Sequence, residues 1–173
     1  MTQERKNTIE QIALNLYQKH FQRGSPASKI RKIIDNEGLW YSEIDGGKKF
    51  LGALSKIGDH PLHIQINQNI DNEGRKNFTI AHELGHYALD HHLTSSVFYC
   101  NEDHIKEEGD ADNEQEKEAN HFASCFLMQR QRVINEFTNW FSYNFPNQQR
   151  TFLYVNFSNP QSKKYWNLFP NSL

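Results

Sequence analysis

Residues 39–67 read LWYSEIDGGKKFLGALSKIGDHPLHIQIN, and the spacing of their apolar residues decides the fold. In the segment 61–67, Leu62, Ile64 and Ile66 alternate with His63, Gln65 and Asn67. That is the period of a strand with one buried and one wet face. Segments 39–45 and 49–57 read as two further strands, and Gly46-Gly47 predicts a hairpin turn between them. A small, mostly antiparallel meander is expected. On either side the period changes to 3.6. Ile9, Ile12, Ala13, Leu16 and Tyr17 mark a helix over 8–21, with Thr8 and Gln11 as its capping box. Ser25-Pro26 opens a second helix, which carries Ala27, Ile30, Ile33 and Ile34 and stops at Gly38. A third helix is predicted from about Asn77 to Asp90, and a fourth over 112–130, after an acidic loop. Val133, Ile134, Phe137, Trp140 and Phe141 mark a fifth, and TFLYVNF (151–157) reads as one more strand. The expected class is α+β. Residues 1–130 are expected to form the functional domain, with 131–173 a helix and tail of unassigned role packed on it.

Composition narrows the function. The chain has 173 residues with formal net charge −2, which argues against a globally basic nucleic-acid binder. Mean hydropathy is −0.84, and no apolar run is long enough to span a membrane. The segment MTQERKNTIEQ lacks the apolar core of a secretory leader, so a cytoplasmic location is expected. Nine histidines are present, six of them between His82 and His121.

Two of these stand in His82-Glu83-Leu84-Gly85-His86, an HExxH pattern on the third helix. Histidines four apart lie on one helix face, where both can ligate one metal ion, and the intervening glutamate can act as a general base. A zinc ion needs a third protein ligand. Three residues are candidates. Glu116 shares a helix face with Asn120, beside the apolar stripe Ala119, Phe122, Ala123, Phe126 and Leu127, so its carboxylate points coreward. Asn120 would then steady a ligand histidine. Glu118 lies further round the helix, toward solvent. His92 stands ten residues after His82, but Leu89 occupies the position where a helix-breaking glycine would be needed.

The strings RKNFTIAHELGHYALDHH (75–92) and EKEANHFASCFLM (116–128) resemble the ImmA/IrrE family of zinc metallopeptidases, over about residues 8–130. Gln129 stands where that family usually has proline, and residues 131–173 match no motif of it. The resemblance implies a thermolysin-like, gluzincin-type minimal domain with Zn2+ as cofactor. It implies His82, His86 and Glu116 as ligands and Glu83 as general base. An oxyanion donor would come from Tyr87, His91, His92, His104, His121 or Tyr143, among which the sequence does not choose. It further implies that an extended substrate aligns along strand 61–67, beside His63, Ile64 and Gln65. The expected activity is endopeptidase cleavage of a cytoplasmic regulatory protein such as a helix-turn-helix, DNA-binding transcriptional repressor. Neither direct nucleic-acid binding nor membrane association is expected. The alternative is a non-cleaving module that sequesters a partner, for which Glu83 would have no use.

Overall fold

The computed structural model describes residues 1–21, 24–91, 97–101 and 111–144, with 97–101 and 111–113 described by their backbone alone. The chain divides into two compact units, Met1–Gln129 and Arg130–Leu173.

In the first unit, α1 (Gln3–His20) begins earlier than expected. Thr2, not Thr8, caps it, its side chain accepting from the Arg5 amide at 3.2 Å. Thr8 lies inside the helix, where its hydroxyl donates to the Glu4 carbonyl. The predicted box fails because a cap one turn and a half upstream already serves the free amides. Ile9, Ala13 and Tyr17 are the buried face. The second helix, α2 (Pro26–Asn36), starts at its proline and buries Ile30, Ile33 and Ile34. Gly38, at φ +72°, then reverses the chain, a conformation that favours glycine. The third helix, α3 (Glu73–Ala88), is capped by Asn72, which accepts from the Arg75 amide at 2.8 Å. The fourth, α4 (Ala111–Leu127), ends before the predicted residue 130.

The sheet corrects the expected meander. Its strands are β1 (Trp40–Ile44), β2 (Phe50–Ser55), β3 (His63–Asn67) and β4 (Val97–Asn101), in the order β1-β3-β2-β4. β1 runs parallel to β3, while β2 is antiparallel to both β3 and β4. A turn spans residues 47–49, with Gly47 at φ +76°, but it does not join neighbours, because β3 lies between β1 and β2. Asn67, buried at the end of β3, explains the arrangement. Its side-chain amide donates to the carbonyls of Gly47 and Phe50, at 2.6 and 2.7 Å, and so folds the β1–β2 connection over the end of β3. The expected role of strand 61–67 falls with the meander. β3 is hydrogen-bonded on both sides, so no further strand can add along His63, Ile64 and Gln65. Ile64 is core, and His63 Nε2 pairs with the Ser42 hydroxyl at 2.9 Å.

One apolar cluster joins the helices to the sheet, through Ile9, Ile33, Leu54, Ile66, Leu84 and Phe122 among others. α3 packs against α4 on one side and against β2 and β3 on the other. It is thereby the central helix of the unit.

In the second unit, α5 (Arg130–Asn144) buries Phe141, while Val133, Phe137 and Trp140 of its predicted stripe are exposed. The strand predicted over 151–157 lies outside the described residues, as do residues 102–110 of the acidic segment. No described helix is long and apolar enough to cross a membrane.

Candidate metal centre

Histidines four apart on α3 project their rings in the same direction. The Nε2 atoms of His82 and His86 lie 3.1 Å apart, and both rings are buried. Glu116 of α4 meets them, with Oε2 at 3.1 Å from His82 Nε2 and Oε1 at 3.2 Å from His86 Nε2. One ligand atom from each of the three residues falls within 4.8 Å of the others.

The close approach of the two helices depends on Gly85, inside the HExxH pattern. A Cβ there would stand 3.1 Å from a ring carbon of Phe122 and 3.2 Å from the backbone of Ala119. Without a side chain at 85, α4 seats on α3 and Glu116 reaches both histidines.

Burial opposes the charge on Glu116, but the adjacent rings of His82 and His86 outweigh it and hold its pKa down to about 2. Burial lowers His86 to about 4, against the pull of Glu116. Both shifts favour the ligating forms, an ionised carboxylate and a neutral imidazole. Asn120 Oδ1 lies 3.0 Å from His82 Nδ1. An amide oxygen only accepts, so His82 carries its proton on Nδ1 and an electron pair on Nε2. Two neutral imidazoles and a carboxylate form a donor set that fits a divalent cation, and one with an open position if three ligands bind.

Glu83 projects from α3 toward β2. It is 0% exposed, and neither carboxylate oxygen has a hydrogen-bond partner among the described residues. The Leu54 amide draws its pKa down somewhat from nearby, without completing a hydrogen bond. Burial dominates and, with repulsion from Glu116, pushes the pKa up to about 8 against the pull of His82. The space for this carboxyl comes from Gly52 of β2. A Cβ there would lie 2.8 Å from Thr79 Cγ2, 3.0 Å from Glu83 Oε1 and 3.1 Å from Ile66 Cδ1. Gly52, Gly85 and Arg5 are the residues that the sequence reading passed over. A glycine inside a strand pattern is a known sign of close backbone approach, and Gly52 in FLGAL carried it.

The remaining predicted residues divide. Glu118 stands outside the cluster. It accepts from Arg5 at 2.7 and 2.5 Å and faces His91 Nε2 at 3.2 Å. His91, buried, sets its Nδ1 3.0 Å from His86 Nδ1. It backs a cluster histidine where an oxyanion donor was expected. Tyr87 donates to Glu37 at 2.9 Å, and burial and that carboxylate push its pKa up to about 12. Its hydroxyl braces α3 against the end of α2. His121 pairs with Cys125 Sγ at 3.6 Å. Tyr143 belongs to the second unit and is 86% exposed. His92 and His104 lie outside the described residues.

A small α+β unit with this triad and a buried carboxyl beside it is a metallopeptidase-type domain. Residues 48–159 match the IrrE N-terminal-like domain, a peptidase family, and the chain belongs to that family. The match differs in extent from the motif resemblance. It starts just before β2, leaving α1, α2 and β1 outside, and it runs through residues 131–159, where no motif was read. No curated protein matches the chain.

Proposed function

We propose that this protein is a zinc-dependent endopeptidase with a thermolysin-like, gluzincin-type site. The observation that carries the reading is Glu83. A buried carboxyl whose oxygens have no hydrogen-bond partner among the described residues is costly, and it stands beside the His82–His86–Glu116 triad, where a proton acceptor has a use. Zinc suits two imidazoles and one carboxylate better than magnesium or calcium, which prefer oxygen alone. When bound, zinc supplies a Lewis acid that polarises the scissile carbonyl and makes a water molecule acidic enough to attack near neutral pH.

The chain's own residues do the rest. His82, His86 and Glu116 would hold the cation, and Asn120 keeps the His82 ring turned toward that position. Glu83 takes a proton from the attacking water at a carboxylate oxygen and delivers it to the departing amine. The strong burial of Glu83 supports that role, since it raises the pKa toward the working range of a general base. An extended substrate segment needs a free sheet edge near α3. Among the described residues that edge is β4, and we assign substrate alignment to its backbone.

For substrate, the family resemblance favours one cytoplasmic regulatory protein, in particular a helix-turn-helix transcriptional repressor, over general digestion. The test is to incubate zinc-loaded protein and its Glu83→Gln variant with a repressor encoded beside it and with casein. Cleavage of the repressor at one site, lost in Glu83→Gln, is the expected result. Equal digestion of casein overturns the dedicated-substrate reading. Tight repressor binding without cleavage by the parent overturns the peptidase reading in favour of a sequestering module.

A further inference from the structure

His86 and His91 face each other through like atoms. Their Nδ1 nitrogens are 3.0 Å apart, so one must donate and the other accept. What lies behind His91 determines which. Its Nε2 is 3.2 Å from Glu118 Oε2. That carboxylate takes two hydrogen bonds from one guanidinium, Arg5 Nε at 2.7 Å and Nη2 at 2.5 Å, the forked geometry that arginine makes with carboxylates. A carboxylate only accepts. His91 therefore carries its proton on Nε2. A neutral imidazole has a single N–H, so its Nδ1 is the acceptor, and the proton between the rings belongs to His86 Nδ1. The electron pair of His86 then sits on Nε2, the atom that faces His82 Nε2 and Glu116.

We infer that Arg5, Glu118 and His91 form a positioning relay that sets the tautomer and ring orientation of His86 and so prepares its Nε2 for a divalent cation. The relay draws on three parts of the fold. Arg5 is in the first turns of α1, Glu118 is one half-turn beyond Glu116 on α4, and His91 follows the end of α3. His91 reaches back because the chain turns at Asp90, whose φ of +57° is left-handed. His82 has its own, separate support in Asn120, so the two ligand histidines are oriented independently. Outer hydrogen bonds of this kind commonly change metal affinity by about 10- to 100-fold.

The inference rests on His86 being a metal ligand, so its first readout uses metal-free protein. Long-range 1H–15N spectra of the imidazoles, at a pH near 8 and above the ordinary histidine range, report the tautomers of His82 and His86. Zinc affinity is then measured by competition with a chelating dye. In the parent, both rings are expected as Nδ1–H. His91→Leu removes the acceptor. His86 should become a mixture of tautomers, His82 should stay as it was, and zinc affinity should fall by about 10- to 100-fold. His91→Gln, whose side-chain oxygen can accept, should restore the His86 tautomer and most of the affinity. Glu118→Gln should shift His86 in the same direction as His91→Leu, and it serves as the test if His91→Leu does not fold. A parent His86 protonated on Nε2, a His86 tautomer indifferent to these variants, or a His82 that changes in step with His86 overturns the relay. A parent that binds no zinc yet shows the tautomer and its loss upholds the relay and rejects the metallopeptidase reading.

Discussion

A Cβ on Gly52 would stand 3.0 Å from Oε1 of Glu83, so β2 and α3 meet carboxyl against bare backbone. The same Cβ would press on Thr79 Cγ2 at 2.8 Å and Ile66 Cδ1 at 3.1 Å, both closely packed. Gly52→Ala must move at least one of these. The expected cost is about 1–3 kcal/mol of stability, typical of overpacking, with cleavage down at least about tenfold because the base is displaced. Zinc content should remain one per chain, since no ligand touches that Cβ. Urea unfolding, metal analysis and a cleavage assay on one preparation check the three statements together.

Glu83→Gln keeps the shape of the side chain and removes its proton acceptor. Zinc should stay bound, and cleavage should fall by a factor of about 10² to 10⁴, the usual worth of a general base. The variant should also be at least as stable as the parent near neutral pH, because folding the parent there must protonate a carboxyl whose pKa burial raises to about 8, a cost that a non-titrating amide does not carry. Cleavage within twofold of the parent would show that another group takes the proton.

How much of this was legible in the sequence depends on the kind of information. Local periodicity was informative. Leu62, Ile64 and Ile66 announced a strand, and the HExxH spacing announced two converging histidines. Which strands are neighbours was not legible, because alternation says which face is buried and nothing about the edge. The one signal was the unbroken apolar run FLGAL in β2, where Leu51, Ala53 and Leu54 are all buried. Such a run fits a strand covered on both faces better than a half-wet hairpin arm. β4 was passed over, although its aromatic and β-branched VFYC carries a strand signal. The relay behind His86 was not. It depends on a left-handed residue at Asp90 and on a partner, Arg5, more than eighty positions away from His91, and neither follows from helical spacing.

Gly85→Ala tests how the third ligand is brought in. The added methyl would meet Phe122 and the Ala119 backbone at 3.1 and 3.2 Å, and backbone cannot swing aside as a side chain can. α4 should move off α3 and carry Glu116 with it. The expected result is a loss of about 1–3 kcal/mol in stability together with weaker zinc binding, although no ligand has been changed. Glu116→Gln should weaken zinc binding without that loss of packing. Zinc titration and unfolding curves of the two variants separate the effects. Unchanged zinc affinity in Glu116→Gln would remove Glu116 from the ligand set.

Glu37 gives a pH dependence of stability that has nothing to do with the metal. It lies at the end of α2, where it accepts from Lys19 Nζ at 2.7 Å, from His20 Nε2 and from the Tyr87 hydroxyl at 2.9 Å, and so ties α1, α2 and α3 together. Burial pushes its pKa up, but these three donors outweigh burial and leave it below the ordinary value of 4.5. The sign follows from linkage. Between the depressed folded pKa and 4.5 the unfolded chain binds more protons than the folded one, so stability rises with pH across that window. The contribution is complete above 4.5 and is lost as pH falls through the folded value. Glu37→Gln should therefore be less stable than the parent by about 1–3 kcal/mol near pH 5.5, the worth of hydrogen bonds to a buried charged group, and the gap should close as the pH is lowered past 4.5. Glu43, held at about 2 by Lys76 and Arg31, titrates in an overlapping range but is common to both proteins and cancels in the difference. Urea unfolding of parent and variant in the presence of a chelator, at several pH values from about 5.5 to about 3, measures that gap free of metal loss. A gap that stays constant over the range would show that Glu37 keeps the same charge in both states and contributes nothing through its ionisation.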